Sequence, residues 1–134
     1  MEIHRSLSAP CGSDRLFAWV EDLSVYPQWM SVVHHVGPVT EVGGLSAWQV
    51  ELRAEVGPFA RSKVLRMVRI EHDEPHRVTF ERRELDGRQH SPWVLRATVD
   101  SGAGPAFAES TLTMELRYGG SLWSGAVLQR VLDD

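Results

Sequence analysis

The sequence predicts an α+β fold: a curved antiparallel sheet of about seven strands, two short helices after strand 1, and a C-terminal helix packed over the sheet. Two observations carry that reading. From Val32 onward apolar and polar residues alternate with a period of two, stretch after stretch. Short turn signals join those stretches, among them Gly43-Gly44, Gly57-Pro58 and Asp86-Gly87. Strands joined by short turns make an antiparallel meander. With one apolar face per strand, such a sheet must curl round something, and the terminal helix is the expected lid.

The elements follow in order. Residues 2–9 read as a short strand that ends at Ala9-Pro10, where proline stops ladder pairing. Ser13 is placed as an N-cap with Asp14 in the first turn, and Leu16, Phe17 and Val20 follow at helical spacing. Tyr26-Pro27 is expected to break this helix, and Pro27 to open a second one through about Met30. Trp29 is expected to plug the end of the sheet. Trp48, Val50, Leu52, Ala54 and Val56 alternate with Gln49, Glu51, Arg53 and Glu55, a half-buried strand. Residues 61–72 and 77–84 give the next two strands. Trp93, Leu95, Ala97 and Val99 mark the inward set of another, and Leu112, Met114, Leu116 and Tyr118 that of the last. Gly102 to Pro105 turns the chain between them. After Gly119-Gly120, Ser121 can cap a final helix carrying Trp123, Val127 and Val131 on one side.

Bulk composition narrows the function classes. The chain has 134 residues, 43% hydrophobic and 24% charged, which fits one globular domain spanning 1–134. Its formal net charge of -4 is spread without a basic block, so nucleic acid is excluded as an expected partner. No apolar run approaches the roughly 20 residues of a membrane span, so no integral membrane association is expected. Cys11 is the sole cysteine, and the first ten residues lack a secretory pattern; both suit a cytoplasmic protein. Lys63 is the sole lysine, a codon-usage clue to a GC-rich genome.

The order of elements, together with "DLSVYPQWMSVVHHVGPV" at its start, resembles the START-like or SRPBCC superfamily. That is the helix-grip fold of polyketide cyclase/dehydrase-like proteins. The residues that carry the resemblance are Asp22, Tyr26, Pro27, Trp29, Val33 and Val36, with "ELRYGGSLW" before the last helix. The resemblance implies a cavity between sheet and terminal helix where apolar molecules bind. The family usually ends in a long helix, whereas this sequence stops soon after Ser121. Either that helix is short and the cavity open, or the sequence is a piece of a longer chain.

The expected ligand-binding residues are the inward apolar set, Trp48, Leu52, Trp93, Leu95, Met114, Leu116 and Tyr118, with two polar intruders, Arg66 and Arg82. Arg82 follows Val78 and Phe80 on the apolar side of its strand, and Arg66 stands between Val64 and Val68. A guanidinium on an inward face needs a carboxylate, an anion or water. The strand at 61–72 has two readings, because Leu65 and Met67 are apolar on the opposite phase from Arg66. His34 and His35, as strand neighbours, are expected on opposite faces, the inward one a candidate acid/base. His72 and His76 flank a turn at Pro75, which is not a helical zinc pattern, so no metal is expected.

Neither "GAGPAF" nor "GGSLWSG" completes a nucleotide-binding loop, no Gly-x-Ser-x-Gly elbow occurs, and no cofactor is expected. The first expectation is therefore binding of a small hydrophobic molecule such as a lipid, quinone or polyketide. The second is a cyclase or dehydratase using the same cavity, with Arg66 or Arg82 holding an enolate. The third, implied by the resemblance, is a protein-interaction module. A homodimer is left open.

Overall fold

In the computed structural model, residues 2–56, 58–101 and 109–119 are described. The turn expected at 102–105 and the helix expected after Ser121 lie outside them. The elements are β1 (Glu2–Ala9), α1 (Ser13–Phe17), a 3-10 helix (Leu23–Gln28), β2 (Val33–Val42), β3 (Leu45–Val56), β4 (Phe59–Asp73), β5 (Arg77–Arg82), β6 (Trp93–Ser101) and β7 (Ser110–Tyr118). The seven strands form one sheet in the order β1-β7-β6-β5-β4-β3-β2. Every neighbouring pair is antiparallel.

The helical connection differs from the expectation in where it breaks. Gly12, not Ser13, is the N-cap of α1, which is only one turn and has no side-chain cap. The second helix starts at Leu23 because the Asp22 carboxylate accepts from the Ser24 N–H at 2.8 Å and the Ser24 hydroxyl at 2.6 Å. Pro27 therefore lies inside that helix and does not open it. The buried aromatic is also another one. Tyr26 is 0% exposed and donates its hydroxyl to the Val20 carbonyl at 2.9 Å, whereas Trp29 is half-buried and reaches the Trp19 carbonyl.

Turn chemistry sets the β2–β3 hairpin. Gly43 and Gly44 have φ of 68° and 77°, the left-handed pair that a two-residue hairpin turn needs. The Asp86-Gly87 signal marks a turn within a longer β5–β6 connection, 83–92, and not a tight hairpin. Gly87 has φ of 72° there, and the Asp86 carboxylate accepts from the Arg88 N–H.

One face of the sheet is the core. Ile3, Leu116, Leu95 and Phe80 form a row across four strands by register, and all four are buried. On the other face, Ser6 meets Thr113 and Ser8 meets Thr111 through their hydroxyls at 3.1 Å. Two bulges decide which side chains point where. In β2 the register passes from Val33–Leu52 to His35–Glu51, so His34 is the extra residue. Both histidines are consequently exposed, and neither is the inward acid/base expected from strict alternation.

In β4 the inward phase is that of Leu65 and Met67, which are 2% and 5% exposed. Arg66 is thereby placed on the opposite face, donating to the carbonyls of Arg83 and Thr40. The arginine that β4 turns inward is Arg69. It pairs in register with Phe80, lies 5.5 Å from the Trp48 ring centroid and donates to the Glu21 carbonyl. Beyond it, a bulge at Ile70 reverses the phase.

Candidate ligand-binding cavity

The curved sheet and the helical connection line a partly open cavity of about 60 Å³. Leu23, Tyr26 and Met30 close it from the 3-10 helix, and Val32 and Val33 from the entry to β2. The sheet supplies Val50 and Leu52, Leu65 and Met67, Trp93 and Leu95, and Leu116. Every one of these side chains is buried, and the exposed wall is apolar throughout. Tyr26 is on the wall, but its hydroxyl is already committed to Val20.

Four of the nine residues singled out from sequence lie on this wall: Leu52, Trp93, Leu95 and Leu116. Three others are buried away from it. Trp48 packs edge-on against Phe80 at 5.7 Å, Tyr118 lies 5.2 Å from the Trp93 ring, and Met114 sits in the core. Arg66 is on the far face. Arg82 is inward, opposite the wall residue Met67 in register, and its side chain is 9% exposed.

Arg82 organises a polar cluster beside the cavity. Its Nε donates to Glu84 Oε1 at 2.9 Å, and its Nη1 to the Ser91 carbonyl at 3.3 Å. Its Nη2 is 3.3 Å from His90 Nδ1. His90 Nε2 in turn is 2.8 Å from Asp86. With Arg82 donating to Nδ1, the proton of a neutral imidazole sits on Nε2 and points at Asp86. The Arg88 N–H, and then His90, hold the Asp86 carboxyl below the usual carboxylate range. None of these polar partners was found in sequence, because 83–92 has no periodicity to place them.

Lys63 was also missed as a site residue. It pairs with Leu52 in register, and so shares the cavity face, with Nζ 5.8 Å from the Trp93 ring centroid. The alternation Lys63, Leu65, Met67 carried that signal. Trp93 Nε1 is buried without a hydrogen-bond partner among the described residues. Leaving such a donor unpaired costs on the order of 1–3 kcal/mol.

Away from the cavity, Glu21, His72 and Glu74 bring their ligand atoms within 4.8 Å of one another. His72 Nε2 is 3.0 Å from Glu21, and the ring stacks on Phe17. A hydrogen bond between His72 and Glu21 accounts for two members of that grouping.

Burial gives the fold an alkaline limit. It pushes the Tyr26 phenol far above its ordinary value, and Tyr118 in the same direction. The unfolded chain ionises these groups near pH 10, so their contribution is complete below about pH 10 and falls as pH rises through that point. Tyr26 adds a slope of about 1.4 kcal/mol per pH unit while its folded form stays neutral. Lys63 opposes this weakly, since burial, then Arg82, lowers its value in the folded state. Urea unfolding between pH 9 and 11 should show stability falling, and Tyr26→Phe should flatten the fall.

These features define a class: a small α+β protein whose antiparallel sheet curls around an apolar cavity. No family model matches the sequence, and no curated protein matches it. Solved structures do. A START superfamily protein from Mycobacterium smegmatis matches with a TM-score of 0.67 at 16% identity, over 98% of this chain and 86% of that one. A protein of Deinococcus radiodurans gives the same TM-score and identity over 99% and 90%. The Zhui aromatase/cyclase from Streptomyces sp. R1128 matches with a TM-score of 0.61 at 11% identity, over 99% and 84%. The di-domain ARO/CYC StfQ of the steffimycin biosynthetic pathway gives 0.64 at 12%, over 98% of this chain and 45% of that one. The chain has the START-like (SRPBCC) fold. Among the described residues no helix is long and apolar enough to cross a membrane.

Proposed function

We propose that this protein binds a small, mostly apolar molecule in the cavity between its sheet and helical connection. The observation that carries the reading is the wall: twelve side chains line the cavity, and none exposes a polar atom to it. Ligand sites are lined mainly by apolar and aromatic groups, with few polar ones. Lipids, quinones and polyketide-like molecules fit that description.

Fluorescence titration with the neutral apolar dye N-phenyl-1-naphthylamine tests the reading. Saturable binding near one-to-one is expected. Val50→Phe, which adds volume at the wall, should weaken it roughly fivefold or more while circular dichroism stays unchanged. Absence of saturable binding would defeat the proposal. Native mass spectrometry of the purified protein, with extraction, then gives the natural ligand's chemical class.

A cyclase or dehydratase acting on a polyketide-like chain is the second reading. One observation favours it: the Arg82–His90–Asp86 chain of contacts stands beside the cavity, where it could meet an enolate. Against it, both imidazole nitrogens of His90 are already engaged. On that reading His90→Ala abolishes turnover of an aromatic polyketide mimic; on the carrier reading ligand affinity is unchanged by it.

A further inference from the structure

The cavity wall is apolar, but the charges next to it are not balanced. Arg82 is neutralised by Glu84 at 2.9 Å, and His90 faces Asp86. Lys63 has no carboxylate within 4 Å among the described residues; what it meets is the face of Trp93. The side chain is held on the cavity side by the Leu52–Lys63 pairing, and both Leu52 and Trp93 are wall residues. An ammonium in that position is an unneutralised charge at the edge of a low-dielectric space, where a counter-charge is worth more than in water. Burial and Arg82 both disfavour its charged form, so an anion there would relieve an existing penalty.

We infer that the ligand is an amphiphile: its apolar body fills the cavity, and a single anionic group such as a carboxylate sits against Lys63 beside Trp93. This rests on the cavity reading proposed above and deepens it from any apolar molecule to an anionic one. Arg82, already engaged by Glu84, contributes to the local field and not to direct contact. The lysine is thus the specificity-determining residue.

The test compares two dyes that differ by one charge, N-phenyl-1-naphthylamine and its sulfonate, 8-anilino-1-naphthalenesulfonate. The wild-type protein should bind the sulfonate roughly tenfold tighter at low salt, the scale of one charge-assisted contact. Lys63→Gln should erase that preference and leave affinity for the neutral dye unchanged, while Lys63→Arg keeps it. Arg53→Gln removes the same charge from the opposite, exposed face of β3 and should also keep it. A preference that survives Lys63→Gln, or an equal loss for both dyes, overturns the inference and leaves the cavity reading standing. If neither dye binds the wild-type protein, both fall.

Discussion

Tyr26→Ala should lower the unfolding free energy by about 3–5 kcal/mol, the range for emptying a buried aromatic site. Three separate connections are lost together. The ring is 0% exposed, lies 4.7 Å from the Trp29 ring and meets Phe80 edge-on at 6.2 Å. Its hydroxyl ties the 3-10 helix back to Val20, three residues beyond the end of α1. It also forms part of the cavity wall, so the void left by alanine merges with an existing space and cannot collapse. Tyr26→Phe isolates the hydrogen bond and should lose about 1–2 kcal/mol, because the Val20 carbonyl is left unpaired. Urea denaturation of both variants measures the two parts. A loss below about 1 kcal/mol for the alanine variant would mean that the helical connection is not anchored through this ring.

Arg82→Met should lower stability by about 2–3 kcal/mol, even though methionine suits an apolar face. The guanidinium is 9% exposed and its partner Glu84 is 20% exposed, so removal strands a carboxylate where water reaches it poorly. The Ser91 carbonyl and His90 Nδ1 lose a donor as well. Glu84 keeps one partner, the Arg66 N–H at 3.0 Å, which limits the damage. Glu84→Gln should restore part of the loss in the double variant, since the stranded charge is then gone. If Arg82→Met proves as stable as wild type, the cluster is a solvated group without a structural part.

Tyr26 and Arg82 also mark how far the sequence could be read. Tyr26 stood out within "VYPQWM", yet local reasoning assigned the plug to Trp29, since both rings are apolar and only packing separates them. Arg82 was legible, because Val78, Phe80 and Arg82 share one parity and β5 has no bulge within it. Arg66 was not, because β4 offers apolar residues on both phases over 64–68, and only pairing with β3 and β5 chooses between them. His34 and His35 failed for a related reason. An extra residue in β2 shifts the phase, and a bulge leaves no mark in an alternation that is already weak.

By itself the sequence determined the element order from β1 to β7, the antiparallel meander and most of the inward set. Those follow from near-neighbour rules: period-two alternation, and glycine at positive φ in the Gly43-Gly44 turn. Only the tertiary structure decided which buried residues line a space and which are solid core. Trp48 and Trp93 carry the same signal in the chain, yet Trp48 is packed between Phe80 and Arg69 while Trp93 faces the cavity. The same holds for Lys63, whose place beside Trp93 depends on a register between strands that are far apart in sequence. Cavities and charge balance are properties of what is brought opposite what, and that is settled by long-range pairing, not by any one strand's pattern.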